Sequence, residues 1–456
     1  MPLNRDQMST LKGLFPGEES LFAPEEAAAF GADASRAFAQ PWAVVRPRTL
    51  EQARELLAFA HRERIPLFPR GRATNVVGDC VPAGGGIVVS TLFLDRLEVD
   101  AEDFVAVAGP GVVTSDLAAR AEALGLFYPP DPASVRISTI GGNVATCAGG
   151  MRAVKYGVTR DFVLGLTAVL PGGQVVNCGG RTHKNVAGLD LARLLVGSEG
   201  TLAFITEIIV KLLPRPEATA SVLAGFASEP AALAAAREVF RAGMLPAALE
   251  FLGSEVLDCL GLAGPMPWPR HTSAALLLRL DGTPAALAAD LERAAGVLRA
   301  ADATHLDQGL GSAREEPLWE LRRLINPASF RLRPDKMSDD VTVPRGRLAA
   351  AVAGIRQAGA AAGLPVLVFG HIGDGNLHVN IMYDAAGPEA EAARQAKSAI
   401  LDLVLSLGGT MSGEHGIGQS KVAYLPRQIG QTELALMRRI KDQFDPHHIM
   451  NPGKAY

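Results

Sequence analysis

Two histidines, His371 and His378, flank the run Gly373-Asp374-Gly375-Asn376 in FGHIGDGNLHVNI, and a Glu414-His415 dipeptide sits inside SGEHGIG. Imidazole and carboxylate together make a ligand set for zinc, manganese or iron(II), and ligand type alone does not choose among them. A catalytic metal needs a third protein ligand and an open position. Adjacent residues on an extended chain point in different directions, so Glu414 can complete the set while His415 faces another partner as a general base. The bland alternative is a satisfied turn histidine at each place. Two histidines and an EH dipeptide, each buffered by glycine, favour the metal. Asp374 suits either of two roles, orienting a ligand histidine or simply closing the turn.

The elements around these residues must bring them together. LPVLVF is β-branched and apolar, a strand, and LHVNIMY alternates with His378, Asn380 and Met382 on one face. Gly373 to Asn376 reads as a hairpin turn that folds His371 back beside His378. Upstream, WAVVRP, TLEQARELLAFAHRERI and PLFPRG read as strand, helix and strand, a βαβ unit. Thr49 is its N-cap, with Gln52 in the capping-box position. The first 40 or so residues read as helical and acidic. From Asp131 to Lys211 glycine-rich loops alternate with short apolar strands, and Pro214 and Pro216 mark a boundary. Beyond it, alanine-rich helices between strands predict an α+β domain with an antiparallel sheet. After Gly408 the glycine-rich texture of the first part returns.

The chain has 456 residues, too many for one ordinary core. A net charge of −4 without a basic stripe argues against nucleic acid as a partner. Its start carries no apolar signal-peptide core, and no apolar run reaches transmembrane length. Cys80, Cys147, Cys178 and Cys259 show no CxxC spacing, which fits a reducing compartment. The same pattern argues against an iron–sulfur cluster held by this chain's own cysteines. The location expected is cytoplasmic, free or peripheral to the inner membrane.

Neither a GxGxxG after a strand nor a Walker A loop is present. Two other loops are rich enough in glycine to bring backbone N–H groups to an anion: PRGRATNVVGD (69–79) and STIGGNVATCAGGMRAVKYGVTRDFV (138–163). PRGRATN, DPASVRISTIGGNVATCAGGMRAVKYGVTRDFVLGLTAVLPGG and LLVGSEGTLAFITEI resemble the FAD-binding domain of the vanillyl-alcohol oxidase flavoprotein superfamily. GHIGDGNLH, SGEHGIG and FDPHHIMNPGK resemble its D-2-hydroxy-acid branch. That branch holds flavin D-lactate dehydrogenases, the catalytic subunit of glycolate oxidase and D-2-hydroxyglutarate dehydrogenase.

The resemblance spans nearly the whole chain and implies an α+β fold. Its two-part FAD-binding domain is of the vanillyl-alcohol oxidase, or p-cresol methylhydroxylase, type. The implied parts are an N-terminal helical segment (1–40), the FAD-binding domain (41–215), a substrate or cap domain with the metal hairpin (216–408), and a C-terminal segment (409–456) returning to the FAD domain. The cofactor-binding positions it implies include Pro69, Arg70, Gly71, Arg72, Thr74 and Asn75 in the first loop. Pro130, Asp131, Ser138, Thr139, Gly141, Gly142, Asn143, Thr146, Gly149, Gly150, Tyr156 and Gly157 follow in the second region. Glu199, Gly200, Ile205 and Asn451 complete them. Where the family has Ala-Gly, this chain has Arg72-Ala73, a departure that touches the first loop's geometry. Neither loop holds a histidine, so non-covalent FAD is expected, with Cys80 and Cys147 as small buried hydrophobes.

The resemblance also makes His371, His378 and Glu414 the metal ligands, zinc first, and His415 the base. It gives Arg322 the substrate carboxylate, with Asn380 and Lys336 as further substrate contacts; the spacing around Lys336 departs from the family pattern. The expected reaction oxidises a small D-2-hydroxy acid to the 2-oxo acid, with hydride to flavin N5 and electrons to a non-NAD acceptor. D-Lactate leads, because no additional basic cluster awaits a second carboxylate; glycolate and D-2-hydroxyglutarate are the alternatives. The acceptor is an iron–sulfur subunit, an electron-transferring flavoprotein, a cytochrome or a quinone, and a homodimer is compatible. Three rivals stand beside this reading: a flavin oxidase of a sugar, lipid ether or aromatic alcohol, a flavin-free metallohydrolase, and a non-catalytic electron-transfer subunit.

Overall fold

A computed structural model describes residues 3–262, 264 and 266–456. The chain forms two compact units. The first comprises Met1–Gly150, Gly157–Arg215 and Glu414–Tyr456; the second comprises Met151–Tyr156 and Pro216–Gly413.

In the first unit the βαβ pattern folds as a parallel arrangement. Ala43–Val45 and Leu67–Arg70 both run parallel to Ile87–Ser90, which lies between them, and Ser20–Leu21 adds an antiparallel edge. All four residues of Ile87–Ser90 are buried, as a strand flanked on both edges and covered on both faces requires. The helix Leu50–Glu63 starts where Thr49 accepts the Gln52 N–H at 3.2 Å. The reciprocal half of the capping box is not made: Gln52 Oε1 accepts from Arg48 N instead. The helix buries Ala53, Leu56, Leu57 and Ala60, one stripe at helical spacing. Among the described residues up to 40, the helices are Arg5–Leu14, the single 3-10 turn Gly17–Glu19 and the short Pro24–Ala28, less helix than expected.

A five-stranded antiparallel sheet completes this unit, in the order Leu97–Asp100, Val105–Ala108, Phe204–Lys211, Val163–Val169, Val175–Gly179. The C-terminus closes the first sheet. Leu67 N donates to Ile449 O at 2.7 Å and Asn451 N to Leu67 O at 2.8 Å, and Ile449 and Met450 join a core with Leu56, Leu67 and Phe204.

The second unit is built on a seven-stranded antiparallel sheet, ordered His305–Leu310, Ala218–Phe226, Ala274–Gly282, Ala248–Leu252, Val366–Gly370, Asn376–Tyr383, Asp335–Thr342. The helix Ser312–Ser329 is pinned to it by a buried polar network. Trp319 Nε1 donates to Ser221 Oγ at 2.9 Å, and Ser221 Oγ donates to Glu315 Oε2 at 2.5 Å. Glu315 also pairs with Arg279, whose guanidinium lies 4.2 Å from the Trp319 ring centre. Each polar group has a partner, so the network fixes the helix rather than leaving buried groups unsatisfied. Among the described residues no helix is long and apolar enough to cross a membrane.

Candidate functional site

A cleft of about 250 Å³ opens in the first unit. The first glycine loop lines it from Pro69 to Asn75. Ser138, Thr139, Gly141 to Asn143, Thr146 and Gly149 line it from the second, with Glu199, Gly200 and Ile205 beyond. Glu414 and His415 also face it. Pro130, Asp131, Gly150, Gly157 and Asn451 stand outside its wall. Tyr156 belongs to the second unit, where its hydroxyl donates to Asp281 Oδ2 at 2.6 Å. The cleft also draws on Val76 and Asp79 of the first loop, and on Cys80 and Pro132 to Ser134, for which the glycine pattern gave no signal.

The two loops do not offer donors equally. Ile140 and Gly141 donate to Val112 O and Pro110 O, and Gly142 donates to Thr139 Oγ1 at 3.2 Å. The first N–H groups of the helix Ile140–Thr146 are therefore taken by the protein. Gly141 is glycine because a Cβ would strike Pro110, and Gly150 because a Cβ would strike the Asp131 carbonyl. The uncommitted donors lie elsewhere. Among the described residues, the backbone N–H groups of Arg72, Ala73, Thr74 and Gly149 have no protein acceptor. Ala73 is left-handed at φ 54°, a conformation that strains a residue with a Cβ.

Behind the cleft lies a buried charged cluster. The Asp79 carboxyl is pushed well above its ordinary range by burial and then by the charge of Glu199, to which it is hydrogen-bonded. Glu199 accepts the Ile417 and Gly418 N–H groups at 2.6 and 2.8 Å. Lys454 Nζ donates to the Gly78 and Val81 carbonyls at 2.7 and 2.9 Å. Asn451 donates to the Asp79 and Glu199 carbonyls, while its own buried amide oxygen finds no partner among the described residues. The segment carrying His415 is thus clamped twice: Asn75 Nδ2 donates to the His415 carbonyl at 3.0 Å, and Glu199 holds the two residues that follow Gly416.

Asp79 carries a pH signature. A carboxyl whose folded pKa is raised stabilises the fold fully below its unfolded value near 4, and that contribution is lost as pH rises through the folded value. Asp79→Asn keeps a donor toward Glu199 and an acceptor for Asn451 without the ionisation. At pH 8 the variant should melt roughly 2–4 °C above wild type, which corresponds to about 1 kcal/mol in a unit of this size. Melting curves from pH 4 to 9 should converge toward acid; parallel curves would show that Asp79 is not held protonated.

In the second unit, the expected hairpin forms. Val366–Gly370 pairs with Asn376–Tyr383, and Asp374 Oδ1 accepts the Asn376 N–H at 3.2 Å, the turn role. His371 Nε2 and His378 Nε2 approach to 3.2 Å with the rings at 89°. The Nδ1 partner of His371 is Glu250, at 2.5 Å. The register explains the meeting: Phe251 pairs with Gly370, so Glu250 stands opposite His371. The second oxygen of Glu250 accepts from Arg322 Nε at 2.7 Å, and the Arg322 guanidinium lies 4.7 Å from the Phe369 ring centre. Glu250 is fully buried. Burial alone would raise its pKa, but His371 and Arg322 outweigh it and bring the carboxyl down to about 2. Its signal in the sequence was a single acid inside the apolar strand ALEFL. Asn380 is buried two residues beyond His378, and Lys336 is held by Asn326.

Two family descriptions match: "FAD binding domain" over residues 41–179 and "FAD linked oxidases, C-terminal domain" over residues 215–455. The glycolate oxidase subunit GlcD of Bacillus subtilis is 39% identical over 418 residues, 91% of this chain and 89% of that one. The chain belongs to the FAD-linked oxidases. Other members of the FAD-linked oxidases similar to it include a D-lactate dehydrogenase of Archaeoglobus fulgidus, 37% identical over 91% of this chain and 92% of that one. Another, of Anaerostipes hadrus, is 35% identical over 91% and 90%. Among solved structures, p-cresol methylhydroxylase with substrate bound superposes at a TM-score of 0.83 and 15% identity, over 100% of this chain and 98% of that one. That likeness gives the fold, the p-cresol methylhydroxylase type. As a FAD-linked oxidase of the D-lactate dehydrogenase and glycolate oxidase type, the chain needs a place for FAD. The cleft fits one: uncommitted N–H groups on Arg72 to Thr74 and on Gly149 suit phosphate oxygens.

Proposed function

We propose that this enzyme oxidises a small D-2-hydroxy acid, D-lactate first, to the corresponding 2-oxo acid. The observation that carries the reading is the pair of Nε2 atoms of His371 and His378, 3.2 Å apart, in the unit where Arg322 is held ready by Glu250. Glycolate is the second reading, favoured by the Bacillus subtilis relative named as a glycolate oxidase subunit. The missing nicotinamide motif favours a non-NAD acceptor.

Glu414 is proposed as the third metal ligand. Its predecessor Gly413 donates to Asp340 Oδ2 at 2.7 Å, and Asp340 pairs with His378 across the sheet. Glu414 is the next residue along the chain. Zinc, manganese and iron(II) all suit two imidazoles and a carboxylate. When bound, FAD supplies a hydride acceptor, and the divalent ion supplies a Lewis acid for the substrate hydroxyl.

The chain's own side chains do the rest. Arg322, its Nε already given to Glu250, presents its two Nη groups to the substrate carboxylate. Asn380 and Lys336 add polar contacts. His415 Nε2 takes the hydroxyl proton, which requires a neutral imidazole at working pH.

The test is anaerobic mixing of the metal-replete flavoprotein with D-lactate, L-lactate, glycolate and D-2-hydroxyglutarate in turn. Bleaching of the flavin by D-lactate but not L-lactate supports the proposal. Bleaching by glycolate alone selects the second reading, and no bleaching by any acid refutes both.

A further inference from the structure

We propose that Glu250 is a positioning residue that sets the metal-binding nitrogen of His371 and the substrate-binding edge of Arg322 at the same time. The inference rests on the hydroxy-acid reading above.

Glu250 lies in the strand Ala248–Leu252, every residue of which is buried. A carboxylate there is costly unless each oxygen finds a hydrogen-bond donor. It has one for each oxygen: His371 Nδ1 at 2.5 Å on Oε1 and Arg322 Nε at 2.7 Å on Oε2. The carboxylate can only accept, so Nδ1 of His371 must carry a proton. The neutral ring then has its lone pair on Nε2, the atom 3.2 Å from His378 Nε2. The same carboxylate occupies Nε of Arg322 and leaves both Nη groups for a ligand, while Phe369 supports the guanidinium plane from 4.7 Å. One buried carboxylate thereby ties two binding functions together. A change that frees one partner disturbs the other.

Glu250→Gln separates them. The amide offers one acceptor oxygen and turns an NH₂ toward the other donor, so one of the two hydrogen bonds is lost. The experiment titrates Zn²⁺ into metal-stripped flavoprotein against a competing chelator, for wild type, Glu250→Gln and Arg322→Lys. Glu250→Gln should weaken zinc binding about 10- to 100-fold, the usual cost of losing a histidine's outer partner, while flavin occupancy stays full. Arg322→Lys, which breaks only the arginine side, should shift zinc affinity several-fold through the shared carboxylate.

A merely structural Glu250 would lower the melting temperature of Glu250→Gln and leave zinc affinity within twofold of wild type, and that result overturns the inference. If Glu250→Gln does not fold, Arg322→Lys decides: unchanged zinc affinity overturns the coupling. Wild type that holds no zinc against the chelator would overturn the metal reading itself, and the inference with it.

Discussion

Asparagine at position 415 should leave a yellow protein that no longer bleaches with its hydroxy acid. The expected loss in the rate of flavin reduction is about 10²- to 10⁴-fold, the usual contribution of a positioned base. The amide matches part of the imidazole's shape and polarity but cannot take a proton. The substitution should not disturb the segment around it. His415 is held through its carbonyl, by Asn75, and its neighbours through their N–H groups, by Glu199. None of these bonds uses the imidazole. Stopped-flow reduction under anaerobic conditions separates flavin content from rate. Normal reduction in the variant would remove His415 from the chemistry, and loss of flavin would give the residue a cofactor role instead.

Under the proposed metal-assisted reaction, stripping the divalent ion with a chelator should have a comparable effect by another route. An alcohol gives up its proton only at strongly basic pH, and a bound divalent ion can move a ligated hydroxyl down by several pKa units, as it does water. Without the ion, His415 faces a far weaker acid. Flavin reduction should fall by two orders of magnitude or more, flavin absorbance should persist, and zinc or manganese should restore the rate. Glu414→Gln should reproduce the loss with a lowered metal content. Full activity after exhaustive chelation, with metal absent by elemental analysis, would sink the metal's part.

Much of this was legible in the sequence because local chemistry and tertiary structure agreed. The Gly373 to Asn376 turn, between a β-branched run and an alternating one, specifies a hairpin without help from the rest of the chain. The helix Leu50–Glu63 has its cap and its buried stripe in its own residues. What the sequence concealed were choices made by distant partners. The Gln52 side chain, placed to cap the Thr49 N–H, bonds Arg48 N, Glu19 and the Leu14 carbonyl instead. Gly141 and Gly142 read as donors to an anion, yet Pro110 and Thr139 claim their N–H groups. Glu250 was hardest to see. Its partners stand 72 and 121 residues further along the chain, and only the register between two strands reveals that it faces His371.

The pairing of Leu67 with Ile449 and Asn451 has a consequence for how the molecule is made. The polypeptide is threaded N-terminus first from the ribosome, so Leu67 emerges long before the residues that complete its sheet. Lys454 and Asn451, which brace the floor of the cleft through Gly78, Asp79 and Glu199, are made after every residue that lines it. The second unit, nearly all of it one uninterrupted stretch, can assemble while synthesis continues. The cleft's floor therefore cannot be completed until residues 449–454 have been made.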